Sequence, residues 1–394
     1  MRVLLVTHNY PRFAGDPAGA YVERLASGVR ARGAEVQVVA PNAPEVTPER
    51  TLDPCVTRFR YAPRRFERVG YVGDVRWQRL VTPRTLFALP TYLLAFRGAV
   101  ARARRAFRPD VMHAHWWFPA GWVSLHDDVP VVITCHGSDV RLLERSRVLR
   151  GLGSRVLRRA ARITTVSEFL ARDLSGLTGE PRLEIAVTPM PLDVEAFRRG
   201  RDAPKTDPPT ILYAGNLVAT KGVDVLLHAY ATLQHAGVRC RLRILGEGSE
   251  AQPLRALAAR IGVGSAVDWS PFVPQTAMPR EYGQAAITVL PSRGKAEGLG
   301  LSLVEAMLAG SAVVGTSAGG IPEVVEDGVT GLLSTDGDAD DLASKLRRLL
   351  GDPALRRSLT ETGAARAEGR HGADAVAERF LALYDDVARH HHAR

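Results

Sequence analysis

Two glutamates eight residues apart, Glu297 and Glu305, mark the stretch of this chain richest in chemistry: Pro291-Ser292-Arg293-Gly294-Lys295-Ala296-Glu297-Gly298-Leu299-Gly300-Leu301-Ser302-Leu303-Val304-Glu305-Ala306-Met307. The apolar run 287–290 before it predicts a buried strand, and the spacing over 301–309 predicts a helix. The glycines therefore sit where a strand turns into a helix. Gly298 and Gly300 permit a tight backbone path there, and the amides and dipole of a helix start attract a phosphate. At this spacing one carboxylate can face a sugar while the other reaches a ribose; two glutamates at this spacing also arise by chance. Gly319-Gly320-Ile321-Pro322-Glu323 reads as a further turn before a helix.

A second cluster, Ala214-Gly215-Asn216-Leu217-Val218-Ala219-Thr220-Lys221-Gly222, joins another predicted strand and helix, with Lys221 placed for a phosphate charge. Taken alone, Lys221 reads better as a surface lysine beside a C-terminal or turn glycine. Gly246-Glu247-Gly248 again follows a strand, and a lone GxG is weak. Earlier in the chain His113, His115 and His136 fall at predicted strand ends. Two or three histidines suggest zinc, but no cysteine, third ligand or HExxH pattern completes a site, so no metal is expected. His136 stands apart because it opens the polar turn His136-Gly137-Ser138-Asp139. Trp116, Trp117, Phe118 and Trp122 follow His115 and read as packing, with acceptor or lipid contact as the sharper alternative.

Strands and helices must carry these loops. Residues 2–7, 36–39, 111–114, 131–135 and 163–166 read as short buried strands, with helices over 20–32, 91–107 and 149–161. The stretch 197–210, with Arg198-Arg199-Gly200-Arg201 and then Pro204, Pro208 and Pro209, reads as an interdomain linker. Alternation restarts beyond it: strands 211–214, 241–245, 287–290 and 312–316, and helices 223–236, 252–261, 301–309, 340–350 and about 373–389. Successive βαβ units build parallel sheets covered on both faces, and ligands bind beyond the carboxyl ends of the strands. The expectation is an α/β chain of two Rossmann-like domains.

Composition agrees. The 394 residues suit two domains, and 45% apolar against 24% charged residues excludes a disordered or collagen-like chain. Cys55, Cys135 and Cys240 include no CxxC pair, which argues against disulfides and structural zinc and for a cytoplasmic setting. Residues 86–96 are too short, and too interrupted by Pro90, to span a bilayer. Met1-Arg2 runs straight into Val3-Leu4-Leu5-Val6, which His8 ends too early for a secretory core, so no leader is expected. The tail His390-His391-His392 reads as a solvated terminus rather than a metal site. Net charge is +10, and its distribution is uneven: residues 1–200 hold 31 basic and 19 acidic side chains, the remainder 21 and 23. A cationic front half attracts nucleic acid, anionic lipid or phosphorylated substrate, although an arginine-rich genome explains it as well. The loop Gly15-Asp16-Pro17-Ala18-Gly19 is not GxGxxG, which weakens a dinucleotide reading, and no Walker, GxSxG or kinase pattern occurs.

Together these motifs resemble the retaining glycosyltransferases of family 4 over essentially the whole chain. The E-x7-E element is Glu297 to Glu305, continued by Gly310-Ser311-Ala312-Val313-Val314 and Gly319-Gly320-Ile321-Pro322-Glu323. Gly215-Asn216-Leu217 with Lys221-Gly222-Val223-Asp224 resembles the donor-phosphate loop. The front half matches through the Gly15–Gly19 loop, residues 110–115, the His136 turn and Val166-Ser167. The resemblance implies a GT-B fold, two facing Rossmann-like domains with an interdomain cleft. An acceptor domain would span 1–200, with the helix at about 373–394 packing back on it, and a donor domain 201–372. It implies transfer of a glycosyl group from a nucleotide diphosphate sugar, uridine first and guanosine second, to a hydroxyl with retention. It also implies a front-face route without a metal or other cofactor. Glu305 would hold the ribose and Glu297 the transferred sugar; Lys221 and the backbone of Gly298, Leu299, Gly300 and Leu301 would hold the diphosphate. His136 would lie near the anomeric centre, and the Gly15–Gly19 loop would close over the phosphates. Gly215, Asn216, Gly246, Val273 and Lys295 would complete the donor contacts; His115, Trp116, Ser138 and Asp139 would face the acceptor.

Two departures from the family pattern stand out. Asn216 replaces the usual Arg, removing one cation from the diphosphate site, which Arg293 or Lys295 is expected to replace. Pro189-Met190-Pro191-Leu192-Asp193 replaces Pro-Asn-Gly-Val-Asp and stiffens that segment through Pro191. The competing functions are a nucleotide-sugar epimerase of the same fold, a phosphorylase-like enzyme, which would need a lysine Schiff base, and a basic nucleic-acid-binding protein. The last lacks an aromatic–basic RNA motif or helix-turn-helix, and no nucleic-acid partner is expected. The amphipathic, Arg-rich stretches 87–107 and 141–162 fit peripheral contact with an anionic membrane and, equally, solvated helix faces.

Overall fold

The computed structural model describes residues 1–394 except 14, 47–52, 54, 68–70, 72–82, 127, 180–183, 272 and 393–394; for 83–87 and 392 it describes the backbone alone. The chain divides into two units, Met1–Pro191 with Ala373–Arg394, and Leu192–Gly372.

The first unit is a seven-stranded parallel sheet. Its strands are β1 (Arg2–Val6), β2 (Glu35–Pro41), β3 (Val56–Phe59), β4 (Val111–His115), β5 (Val131–Cys135), β6 (Arg162–Thr165) and β7 (Ile185–Val187), in the order β3-β2-β1-β4-β5-β6-β7. Order reverses between β1 and β4, which pair in register Val3 to Val111. β4 and β5 are buried along their whole length, the mark of a sheet covered on both faces. The covering helices are α1 (Ala20–Ala31), α2 (Pro83–Phe107), α3 (Trp122–Ser124), α4 (Ser138–Glu144), α5 (Arg147–Arg158) and α6 (Glu168–Thr178).

The second unit repeats the plan with β8 (Thr210–Ala214), β9 (Arg241–Leu245), β10 (Val267–Ser270), β11 (Ile287–Leu290), β12 (Ala312–Thr316) and β13 (Leu332–Ser334). Their order is β10-β9-β8-β11-β12-β13, all parallel, with the reversal between β8 and β11. Its helices are α7 (Val194–Arg198), α8 (Val223–His235), α9 (Ala251–Arg260), α10 (Met278–Gln284), α11 (Leu301–Leu308), α12 (Ala339–Gly351) and α13 (Pro353–His371). The last helix, α14 (Ala373–His392), belongs to the first unit. Gly28 of α1 has so little room that a Cβ there would stand 3.1 Å from that of Ala377, and Arg32 pairs with Asp374 at 2.8 Å.

The expected linker at 197–210 is corrected. It forms α7 and a 3-10 turn, Arg199–Asp202, built into the second unit. Phe197 is buried, and Gly200 packs so close to Pro279 that a Cβ would fall 2.1 Å from the Pro279 carbonyl oxygen. The chain crosses between units at 191–192 and 372–373, where Leu192 N–H donates to the His371 carbonyl at 2.9 Å. The sequence pattern did not reveal the short strands β3, β7, β10 and β13, because three or four partly buried residues carry little periodicity.

Two kinds of helix start bear on where a ligand sits. Away from the switch points, α5 and α6 begin at Ser146 and Ser167, whose hydroxyls accept from Leu149 and Leu170 N–H at 3.1 and 3.2 Å. α12 and α13 begin at Asp338 and Asp352 in the same way. By contrast α1, α8 and α11 begin at left-handed Gly19, Gly222 and Gly300 with no side-chain cap. Those three follow β1, β8 and β11, the strands that flank the two reversals on one side or the other. Their first-turn amides are therefore not taken up by a capping side chain, which is what an anion at that position requires.

Candidate functional site

In the second unit, the loops after β8, β9 and β11 are laced together at the reversal of strand order. Arg293 N–H donates to the Thr220 carbonyl at 2.9 Å, and Leu217 N–H to the Glu247 carbonyl at 2.8 Å. Gly215 and Gly246 lie in close contact: a Cβ on Gly246 would fall 1.9 Å from the Gly215 carbonyl oxygen. Gly222 (φ +64°) is where a glycine is required, since a Cβ would also meet the Pro291 carbonyl oxygen at 2.0 Å. The Gly319-Gly320 turn closes the far side, with Gly320 N–H donating to the Glu297 carbonyl at 2.9 Å.

This lacing brings Lys221 Nζ to 2.5 Å from Glu297 Oε2. Both side chains keep partial solvent access, 23% and 15%, so the pair is neither buried nor lost in bulk water. Ser292 Oγ stands 3.4 Å from the same oxygen. Glu305, on α11, is held from the other side of its carboxylate: Gln275 Nε2 donates to Oε1 at 3.2 Å and Tyr282 OH to Oε2 at 3.1 Å. Tyr282 is fully buried, and burial, then the Glu305 charge, pushes its hydroxyl well above the usual phenol range, so it donates at any physiological pH. Leu299 is buried and Gly298, Gly300 and Leu301 lead into the helix. Sequence reasoning missed Gln275 and Tyr282, because hydrogen bonds between distant segments leave no spacing to read, and it gave Ser292, in the same loop as Glu297, no role.

The structure places four further donor-side residues as follows. Asn216 gives its backbone carbonyl to the buried Tyr213 hydroxyl at 2.8 Å, which fixes the loop. Arg293 turns to Asp224 at 2.7 Å, so its charge is already matched by α8. Lys295 is exposed within the loop, and Val273 packs against the core of the unit.

In the first unit β4 and the loops after β1 and β5 gather four histidines, His113 and His115 on the strand and His8 and His136 in the loops. His113 is structural: its ring nitrogens lie 2.6 Å from Tyr384 OH of α14 and 2.6 Å from Thr134 Oγ1. His115 Nδ1 lies 3.1 Å from His136 Nε2. Tyr21 packs tilted against His136 with ring centroids 4.8 Å apart, and His8 lies 4.3 Å from the Trp116 ring. Burial holds His8 down at about 4 and His115 and His136 well below their usual range, so all three are neutral at pH 7. Buried polar atoms of this cluster, His8 Nδ1, Asn9 Oδ1, His115 Nε2 and Trp116 Nε1, have no hydrogen-bond partner. Trp116 adopts φ +78°, a conformation that costs a bulky side chain energy and concentrates at functional sites. Among the described residues no three His, Cys, Asp or Glu side chains are arranged to hold a metal ion.

Asp139 is corrected from an acceptor contact to a positioning residue. It is fully buried, and its carboxylate accepts from His136 N–H at 2.9 Å and Gly137 N–H at 3.0 Å, shaping the turn that presents His136. Ser138 is exposed on the first turn of α4. Gly15 and Gly19 flank Asp16, which Arg12 grips at 2.6 Å through Nε, bracing the loop that feeds α1.

Two family models match consecutive parts of the chain: "Glycosyltransferase Family 4" over residues 18–196 and "Glycosyl transferases group 1" over 195–366. The chain is 31% identical to a D-inositol 3-phosphate glycosyltransferase of Acidothermus cellulolyticus, over 95% of this chain and 86% of that one. It is 31% identical to the protein of the same name from Mycolicibacterium smegmatis, over 77% and 75%. Among solved structures, sucrose-phosphate synthase from Thermosynechococcus elongatus superposes with a TM-score of 0.76 at 21% identity, covering 98% and 99%. Anabaena HepE in complex with UDP-glucose superposes with a TM-score of 0.71 at 18% identity, covering 98% and 100%. These likenesses show the GT-B fold.

Proposed function

Because the chain belongs to glycosyltransferase family 4 and is a transferase, we propose that it moves a hexosyl group from a uridine diphosphate sugar to a hydroxyl acceptor with retention of configuration. One observation carries the reading. A lysine and a glutamate from different loops meet at the reversal of strand order in the second unit, beside a second glutamate fixed by Tyr282 and Gln275. Ligands of parallel sheets bind at that point.

Lys221 and the uncapped start of α11 take the charge that grows on the leaving diphosphate, a preorganised electrostatic contribution. Glu305 accepts hydrogen bonds from the ribose hydroxyls. Glu297 turns from Lys221 toward the transferred sugar as the phosphate takes over the lysine. The departing phosphate oxygen receives the acceptor proton. No divalent cation has a part in this route. Uridine is favoured as the base because solved neighbours were obtained with UDP and UDP-glucose. An inositol phosphate or another polyol is the first acceptor class to test, since curated relatives carry that name.

The test is a thermal-shift panel of UDP, GDP and their hexose conjugates, followed by UDP release with and without myo-inositol 3-phosphate, in the presence of EDTA. Stabilisation by UDP and acceptor-dependent release of UDP support the reading. Stabilisation by GDP alone replaces the donor. UDP release with a free epimerised sugar and no acceptor requirement replaces transfer by epimerisation.

A further inference from the structure

Among the described residues, the large apolar side chains that stand exposed are Phe66, Leu94, Trp122, Val148 and Leu152, and all five belong to the first unit. The positive charge is concentrated in the same part of the chain: residues 1–200 carry twelve more basic than acidic side chains, and the rest of the chain two fewer. The two properties coincide most closely on α5. Val148 is 72% exposed and Leu152 46% exposed, and they are four residues apart, so they share one face. The opposite face, with Gly153, Ser154 and Leu157, is buried, and Val156 at the edge of the exposed stripe is buried with it. Arg145, Arg147 and Arg155 flank the exposed pair and are themselves exposed. No acidic residue occurs from 145 to 167. On the elements packed against α5, Asp139 is buried, Glu144 and Asp173 are both paired with Arg141, and Glu168 stands exposed at the start of α6.

Folding does not account for this face. Burying Val148 and Leu152 inward was open to the sequence, and leaving them in water forgoes that gain. Aliphatic side chains ringed by arginine match an anionic bilayer surface: the aliphatic tips enter the headgroup boundary, and the guanidinium groups meet lipid phosphates. We propose that α5 docks the first unit onto an anionic membrane through Val148 and Leu152, with Arg145, Arg147 and Arg155 supplying the electrostatic attraction. No helix among the described residues is long and apolar enough to cross a membrane, so the contact is peripheral. This inference is independent of which sugar is transferred.

The experiment is co-sedimentation of the full-length protein with vesicles of phosphatidylglycerol and phosphatidylcholine in equal parts, and with phosphatidylcholine alone. At 50 mM salt, partitioning onto the anionic vesicles is expected to exceed that onto the neutral ones by tenfold or more, and to drop several-fold at 0.5 M salt. V148D/L152D is expected to lose tenfold or more, and V148N/L152N, which adds no charge, several-fold. Arg145→Glu with Arg147→Glu is expected to lose the preference for anionic lipid. All variants keep the wild-type melting temperature and UDP-induced stabilisation, because the substituted side chains are exposed. Equal partitioning of wild type and V148N/L152N overturns the proposal. So does binding that ignores lipid charge, or no sedimentation with anionic vesicles at low salt.

Discussion

Lys221 Nζ and Glu297 Oε2 stand 2.5 Å apart, joining the loops that follow β8 and β11. Glu297 therefore neutralises Lys221 within the site, and under the proposed function a donor diphosphate has to displace Glu297 from Lys221. Lys221→Ala removes a charge-assisted hydrogen bond of about 1.5–3 kcal/mol, a roughly 10- to 150-fold weaker UDP affinity. Glu297→Gln has the opposite effect on binding: it frees Lys221 and removes a like charge, so UDP binds several-fold tighter while turnover of UDP-sugar falls 100-fold or more. Calorimetry with UDP and steady-state kinetics on both variants check this. Weaker UDP binding by Glu297→Gln would contradict the competition.

Glu305 is fixed by two donors, and its expected partner is a ribose. Tyr282→Phe removes one fixing bond and raises the donor KM about tenfold, in line with a hydrogen bond to a charged group. Glu305→Ala does more, because it also leaves the buried Tyr282 hydroxyl without this acceptor. Comparing UDP with 2′,3′-dideoxy-UDP separates a ribose contact from mere support of the fold. Wild type should prefer UDP at least tenfold, and Glu305→Ala should bind the two equally.

Much of this site was legible from residue order, and the reasons are local. Glu297, Gly300 and Glu305 lie on one strand–loop–helix unit, whose boundaries a buried run and helical spacing define within a residue or two. The pairing of Lys221 with Glu297 spans 76 residues and follows from sheet order, which a single sequence does not display. The partners of Glu305 follow from the same cause. Arg293 was expected to replace the cation absent at 216, but Asp224 on α8 already claims it. The linker expected at 197–210 misled because proline and arginine there serve a packed turn, with Phe197 and Gly200 buried. Asp139 looked like a polar turn residue open to a ligand, and burial, unreadable from a four-residue turn, makes it the support of His136.

Gly222 tests how far the phosphate loop tolerates displacement. Gly222→Ala meets two penalties: a left-handed conformation, about 1–2 kcal/mol, and a Cβ 2.0 Å from a backbone oxygen that belongs to the neighbouring loop. Gly337→Ala is the control, with φ +74° and nothing within 4 Å of the added Cβ. The control should lower the melting temperature by only a few degrees. Gly222→Ala should lower it further and also weaken UDP binding, since Lys221 adjoins the displaced residue. Equal effects on stability would mean that the two loops part easily.

The histidine cluster predicts a stability that falls in mild acid. His8 is held at about 4 by burial against an ordinary value of 6.5, His113 at about 3, and His115 and His136 well below the usual range. Between pH 6.5 and 4 the unfolded chain takes up protons that the folded cluster refuses, so acidification draws the equilibrium toward the unfolded state. At pH 5 the His8 contribution alone is about 2 kcal/mol. Asp16 and Asp53, held below the usual carboxylate range by Arg12 and Arg30 despite burial, lose their contribution only at lower pH. Asp139 and Glu23, raised by burial, act in the opposite sense within the window. Those carboxylates are common to wild type and His8→Asn, so the difference between the two proteins isolates one imidazole. Melting temperatures measured from pH 7.5 to 4.5 should fall for both, more steeply for the wild type below pH 6.5. Parallel curves would show that His8 is protonated in the folded protein.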